Sequence, residues 1–253
     1  GKIDIQGKDA AELLDRVYVN TFSTLKVGRV RYGLMLREDG MILDDGTTAR
    51  FGDTHFILTT TGGAAGLVYT HLEFCLQVLW PELDVQIASV TDQWAQFSIA
   101  GPNARELVNG LVKENITNET FPYMACSQAT IGAVKGRLFR ISFSGEEGYE
   151  IAVPARFGDA LARELTKRAA ALGGGWYGLE ALNVLRIEKG LLTHAELSGH
   201  TTPEDLGLGK MVSSKKDCIG KVLSQRAAMN APGRQQLVAL NPVSALEKFS
   251  AGA

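Results

Sequence analysis

An internal repeat constrains this chain more than any other feature of its sequence. Sliding the 253-residue sequence against itself by 94 positions lays Ile3–Leu14 over Phe97–Val108. Gly7 falls on Gly101, Ala10 on Ala104, Glu12 on Glu106 and Leu13 on Leu107. A repeat of this size means one supersecondary unit used twice, and it decides the architecture before any single residue is interpreted. Each copy alternates apolar and polar residues up to the glycine. Each then turns to helical spacing after a residue suited to N-capping, Asp9 or Asn103. At the same offset Phe56-Ile57-Leu58 falls on Glu150-Ile151-Ala152, a strand ahead of a longer helix in both copies.

Each copy therefore predicts strand, helix, several strands, helix. In the first, strands are expected near 2–6, 30–37, 41–50 and 55–61, with helices near 9–17 and 64–79. In the second, strands are expected near 94–100, 125–133, 136–144 and 148–153, with a helix near 156–172. Glu38-Asp39-Gly40 and Gly145-Glu146-Glu147-Gly148 carry hairpin-turn chemistry. Helices interrupting antiparallel strands cover one face of each sheet, so the expected class is α+β, as tandem lobes of a ferredoxin-like type. The lobes are expected at 1–92 and 93–192, with 193–253 a connection and the start of a truncated third lobe. A further helix is expected over 178–190, with Leu179, Leu182 and Leu185 on its inner stripe and Gly190 as its C-cap. Gln236–Leu240 reads as a strand with nothing after it to pair. The chain starts inside a strand, without an initiator Met or a signal-peptide core, and is expected to be a piece of something longer.

Composition narrows the function. Lys and Arg number 26 against 28 Asp and Glu, a net charge of −2, which argues against a dedicated nucleic-acid binder. The greasiest stretch, Gly62–Trp80, contains His71, Glu73 and Gln77 and does not read as a membrane span. Cys75, Cys126 and Cys218 are odd in number and far apart, so neither a disulfide framework nor a zinc site is expected. They read as small buried hydrophobes in a reducing, cytoplasmic compartment.

Chemistry could sit at Asp44-Asp45, which follow Met41-Ile42-Leu43. On a regular strand Asp44 shares a face with Ile42 and Asp45 the other with Leu43. The pair then cannot be a shared-proton dyad, but one carboxylate beside apolar neighbours would have a raised proton affinity. From the pair alone, an Asp-Asp-Gly turn in water is the commoner outcome. Thr59–Gly66 runs from strand to helix without the spacing of a dinucleotide or P-loop motif. It reads as a glycine-rich turn whose backbone amides could still hold an anion. Lys26, Arg29, Arg31 and Arg37 could steer an anionic substrate, although a solvated strand face is the commoner explanation. The four histidines fall in different elements and build no catalytic set.

Several blocks carry a family resemblance. Tyr32-Gly33-Leu34-Met35-Leu36 with Gly40–Asp45 resembles the folate-site hairpin of the glycine cleavage T-protein (aminomethyltransferase) family. Ile99–Ala104, Gly145–Ile151, Leu185–Gly190 and Thr202–Gly209 continue the match in order along the chain. Within that family Asn20–Arg29, Asp45–Arg50 and Gly178–Asn183 resemble the C-terminal part of the alpha subunit of heterotetrameric sarcosine oxidases. The resemblance implies three lobes in a cloverleaf around a tetrahydrofolate site. Carried over by position, Asp44 is the catalytic aspartate, Tyr32 a folate-contacting tyrosine and Glu150 the pterin-holding glutamate. Phe143 stands where the T-protein has a folate-site tyrosine, Thr59 where it has an asparagine and Leu182 where it has an arginine; a third-lobe arginine would lie beyond Ala253.

The implied reaction is capture on tetrahydrofolate of the imine or formaldehyde equivalent from sarcosine, giving 5,10-methylenetetrahydrofolate and glycine. The partners would be other sarcosine oxidase subunits, especially a flavin-bearing beta subunit. FAD, FMN and NAD would belong to that assembly, since no motif in this chain could hold them. The alternatives are an aminomethyltransferase of glycine cleavage and a non-catalytic folate-binding or subunit-docking module. With the resemblance in view, Asp44 is expected to be functional.

Overall fold

A computed structural model describes residues 1–240, 243 and 244. The first copy of the repeat supplies β1 (Lys2–Gln6), α1 (Ala10–Val17), β2 (Arg29–Leu36), β3 (Ile42–Gly52), β4 (His55–Thr59) and α2 (Ala65–Phe74). A short strand that the sequence did not announce, β5 (Gln86–Ser89), follows. The second copy supplies β6 (Trp94–Ala100), α3 (Ala104–Asn109), β7 (Cys126–Ile131), β8 (Val134–Phe139), β9 (Gly148–Pro154) and α4 (Gly158–Ala171). One sheet has the order β2-β3-β4-β1-β5, the other β6-β9-β8-β7. Read from the hairpin outward, both place the fourth strand of the copy beside the first, and β5 extends only the first sheet. The class is α+β, as the alternation of strand and helix periods demands.

The glycines of the repeat have a backbone reason. Gly7 and Gly101 adopt φ of 144° and 125°, a region that side-chain-bearing residues avoid. A Cβ at Gly7 would also lie 2.0 Å from the Asp84 carbonyl oxygen. Asp9 and Asn103 occupy the N-cap positions without capping. Asp9 instead accepts from the Asp84 amide at 2.9 Å and Asn103 donates to the Leu172 carbonyl at 3.3 Å, each tying the helix start to a later loop.

Helices cover one face of each sheet. Ile3, Ile5, Phe56 and Leu58 pack under Leu13, Leu14, Val68 and Leu72. Ile99, Tyr149 and Ile151 pack under Leu107, Val108, Leu161 and Leu165. The other sheet faces meet one another through Val30, Ala49, Cys126 and Phe139, with Phe51 edge-on to Phe139 at 5.7 Å. Backbone bonds from Val30 to Met124 and from Cys126 to Gly28 stitch the join.

The structure corrects several boundaries. The offset of 94 fails at the last strand: Ile3 pairs with Leu58, but Phe97 pairs with Ile151. Phe56 is therefore matched by Tyr149 and Leu58 by Ile151, a one-residue shift that exchanges the two faces of a strand. β8 ends at Phe139, and residues 140–147 form an irregular loop rather than strand and tight hairpin. The last helix of the chain's middle, α5 (Leu179–Lys189), ends on Gly190 as expected. Its expected inner stripe holds only in part: Leu182 and Leu185 are half-buried, Leu179 is 79% exposed, and the fully buried residue is Arg186, paired with Glu196 at 2.8 Å. Residues 192–222 fold back onto the first sheet, where Leu197 and Leu206 pack against Leu34, Leu36 and Ile42. Gln236–Leu240 forms no strand; Leu237 donates its amide to Asp205. No described helix is long and apolar enough to cross a membrane.

Candidate functional site

Asp44 and Asp45 are not a turn. β3 runs through both, paired to β2 with Met35 opposite Asp44 and Leu34 opposite Asp45. The register slips just before them, because Leu36 faces Ile42, so the expected sharing of faces with Ile42 and Leu43 does not carry across this bulge, while Asp44 and Asp45 remain consecutive in the ladder. Bulges re-aim side chains beside functional sites. Here both carboxylates reach one residue. The Thr61 amide donates to Asp44 Oδ2 at 3.2 Å and the Thr61 hydroxyl to Asp45 Oδ1 at 3.4 Å. The backbone at the entry to α2 thus does hold an anion, and the anion is the chain's own aspartate.

Asp44 is 5% exposed. Burial, reinforced by the negative charge of Asp45, pushes its carboxyl up to about 6 against the pull of the Thr61 hydrogen bonds. Burial also raises Asp45, although Tyr32 and Thr61 bind it. The Tyr32 hydroxyl donates to Asp45 Oδ2 at 2.8 Å, and burial beside two carboxylates holds this phenol well above its ordinary range. Thr59 has no free hydroxyl: it is bonded to the Thr47 hydroxyl at 2.7 Å and to the Thr47 backbone at 3.0 Å, pinning β4 to β3.

Glu150 sits on β9 opposite Ser98, accepts from Gln96, and is raised above its ordinary value by burial against the opposing effects of Gln96 and Lys2. The Lys2 charge acts on Glu150 and the Asp44 charge on the Gly1 amino group, so the start of β1 is within electrostatic reach of both carboxylates. Phe143 lies in the loop after β8, 37% exposed. Leu182 lines a cavity of about 560 Å³ beside β6, with Gln96, Phe97, Leu107 and Trp176 among its other walls. Asp44 does not line that cavity. The basic residues of β2 are engaged locally: Arg29 donates to the Tyr123 carbonyl, Arg31 to Thr21 and Thr24, and Arg37 pairs with Asp39. Among the described residues no cluster could hold a metal ion, and all three cysteines are free.

Sequence reasoning named the Asp44-Asp45 pair and the Thr59–Gly66 turn without assigning Asp45 or Thr61 a role, and it missed Gln96 and Lys2. Doubling of the aspartate was the only local signal for Asp45. The others depend on which strand ends meet in space.

A doubled α+β unit joined through its open sheet faces, with a buried carboxylate on the hairpin strand, is the fold of the T-type aminomethyltransferases. The glycine cleavage system aminomethyltransferase T from Bartonella henselae superposes with a TM-score of 0.78 at 27% identity, over 92% of this chain and 62% of that one. The chain belongs to the GCVT N-terminal domain family, whose model matches residues 1–216. It is 53% identical over its full length to the sarcosine oxidase subunit alpha of Rhizobium meliloti, of which it spans 26%. Against the aminomethyltransferase of Streptomyces coelicolor the identity is 30%, over 96% of this chain and 65% of that protein. The chain thus spans about a quarter of the sarcosine oxidase relatives it matches.

Proposed function

We propose that this chain is the tetrahydrofolate-dependent one-carbon transfer unit of a sarcosine-oxidising enzyme, working beside a flavin-bearing partner subunit. The observation that carries the reading is Asp44: a carboxylate buried on β3 and tuned to about 6 next to Tyr32. Its greater likeness to sarcosine oxidase alpha subunits than to the Streptomyces aminomethyltransferase, 53% against 30%, favours sarcosine over an aminomethyl carrier protein as the source of the carbon.

The residues present fit a folate. A half-buried glutamate of raised proton affinity, oriented by Gln96, suits the paired N–H donors of a pterin. Glu150 would hold the pterin, Phe143 would pack against the bound molecule without a hydroxyl, and Tyr32 and Asp44 would stand at the reacting end. When bound, tetrahydrofolate supplies the nucleophilic nitrogens that take up the one-carbon unit.

Asp44 is mostly ionised at neutral pH. It can stabilise a cationic iminium by charge, or accept the proton that an attacking amine loses, because a group titrating near the working pH moves protons efficiently. Thr61 keeps its Oδ2 in place during that exchange. Tetrahydrofolate-dependent production of 5,10-methylenetetrahydrofolate from sarcosine tests the reading. Asp44→Asn should abolish it and release the carbon as formaldehyde, and unchanged product formation by the variant would defeat the proposal.

A further inference from the structure

Asp45 is the neighbour of Asp44 for which the proposed chemistry has no use. Its two carboxylate oxygens are both engaged, Oδ2 by the Tyr32 hydroxyl at 2.8 Å and Oδ1 by the Thr61 hydroxyl at 3.4 Å. Thr61 in turn donates its amide to Asp44. One residue at the exit of β4 therefore fixes two side chains of β3, and one of those fixes a side chain of β2.

A phenol has a single hydrogen to donate. With that hydrogen committed to Asp45, Tyr32 presents to a ligand only its lone pairs and its ring. Asp44 is likewise an acceptor when ionised. A ligand at this end of the site must then bring N–H or N⁺–H groups to both.

We propose that Asp45 is a positioning residue: it turns the Tyr32 hydroxyl away from the ligand and, through Thr61, holds Asp44 in place, so that the site offers two acceptors to a nitrogen-bearing reactant. This rests on the reading of Asp44 as the reacting carboxylate. Removing the charge of Asp45 should also lower the proton affinity of Asp44, since a like charge nearby disfavours ionisation. The other titratable groups facing Asp44 are Tyr32 from β2, Tyr18 just after α1 and the Gly1 amino group at the start of β1. Of these, Tyr32 and Tyr18 are themselves held up in part by the charge of Asp45.

The test compares Asp45→Asn with Asp44→Asn in the intact enzyme, with thermal melts to confirm folding. Asp45→Asn should keep measurable turnover while the acid limb of its kcat/KM profile moves down by roughly half a unit or more. Independently of activity, ultraviolet titration should show one phenol, absent in Tyr32→Phe, ionising at lower pH once Asp45 is neutral. Thr61→Val should move the acid limb, and Thr61→Ser should restore it. An unmoved acid limb and an unmoved phenol in Asp45→Asn would overturn the proposal. So would a loss of turnover as complete as in Asp44→Asn, which would make Asp45 itself the reacting group. If Asp44→Asn alone keeps full turnover, the functional reading fails, and the phenol titration still decides whether Asp45 positions Tyr32. Should Asp45→Asn not fold, the Thr61 pair decides the matter.

Discussion

Asp44 is costly for the fold to keep. Folded, its carboxyl releases its proton near pH 6; unfolded, it does so near 3.8. The folded state therefore binds more protons across that window, and the stability Asp44 allows falls as pH rises through it, by up to about 3 kcal/mol. Asp44→Asn, which keeps an oxygen for the Thr61 amide, should melt higher than the parent at pH 8 and alike near pH 4. Equal melting at both would show that the carboxylate is not desolvated. A gain in stability on loss of the reacting group is the trade-off expected of a site built for chemistry. The Asp44-Asp45 pair stands out after an apolar run, but on its own it favours a solvated turn, and only the family resemblance singles out Asp44. Thr61 and the shared geometry were not legible in the sequence, because the bulge at Leu43 and the β3–β4 register leave no periodic signal.

Among the elements, the hairpin β3–β4 and the helix α5 are the most exposed to single changes. Gly46 sits where a Cβ would lie 1.9 Å from the Thr59 carbonyl oxygen. Gly46→Ala should push β4 away, cost about 2 kcal/mol as overpacking does, and disturb Thr61 along with it. Denaturant unfolding and the activity assay would both register the change. In α5 Leu182 and Leu185 are half-buried, but Leu179, expected inside with them, is exposed, as are Val184 at 56% and Ile187 at 63%. The tie is polar instead: Arg186 pairs with Glu196, which also accepts from the Thr193 amide. Arg186→Met should cost about 3 kcal/mol by stranding Glu196, and hydrogen exchange should show residues 179–197 losing protection first. Helical spacing announced α5, its extent and its Gly190 cap. It could not announce which side turns inward, because apolar residues lie on more than one face. Likewise the repeat gave away the succession of strands and helices along the chain but not the one-residue shift at β9, since a missing residue in a loop is silent until strands pair.

For the molecule as a whole, the decisive feature is the join between the two sheets, which packs β2 and β3 of one against β7 and β8 of the other. Arg137 lies 3.9 Å from the Trp94 ring and 3.6 Å from Asp4, across the join. Burial alone would raise Asp4, but hydrogen bonds from His55 and Gln6 and the charge of Arg137 hold it below its ordinary value. A carboxyl so lowered contributes stability above its unfolded value and loses it as pH falls further. Asp4→Asn should therefore melt lower than the parent at pH 7, with the gap closing below about pH 4; a gap independent of pH would mean that packing, not charge, joins the sheets. The central claim concerns what this join creates between Asp44 and Glu150. Equilibrium titration with 5-formyltetrahydrofolate tests it most directly, run on the parent, Asp44→Asn and Glu150→Gln, each shown to be folded. The account predicts saturable binding to the parent and weaker binding to Glu150→Gln and to Asp44→Asn. Equal binding by all three, or none by the folded intact enzyme, would contradict it.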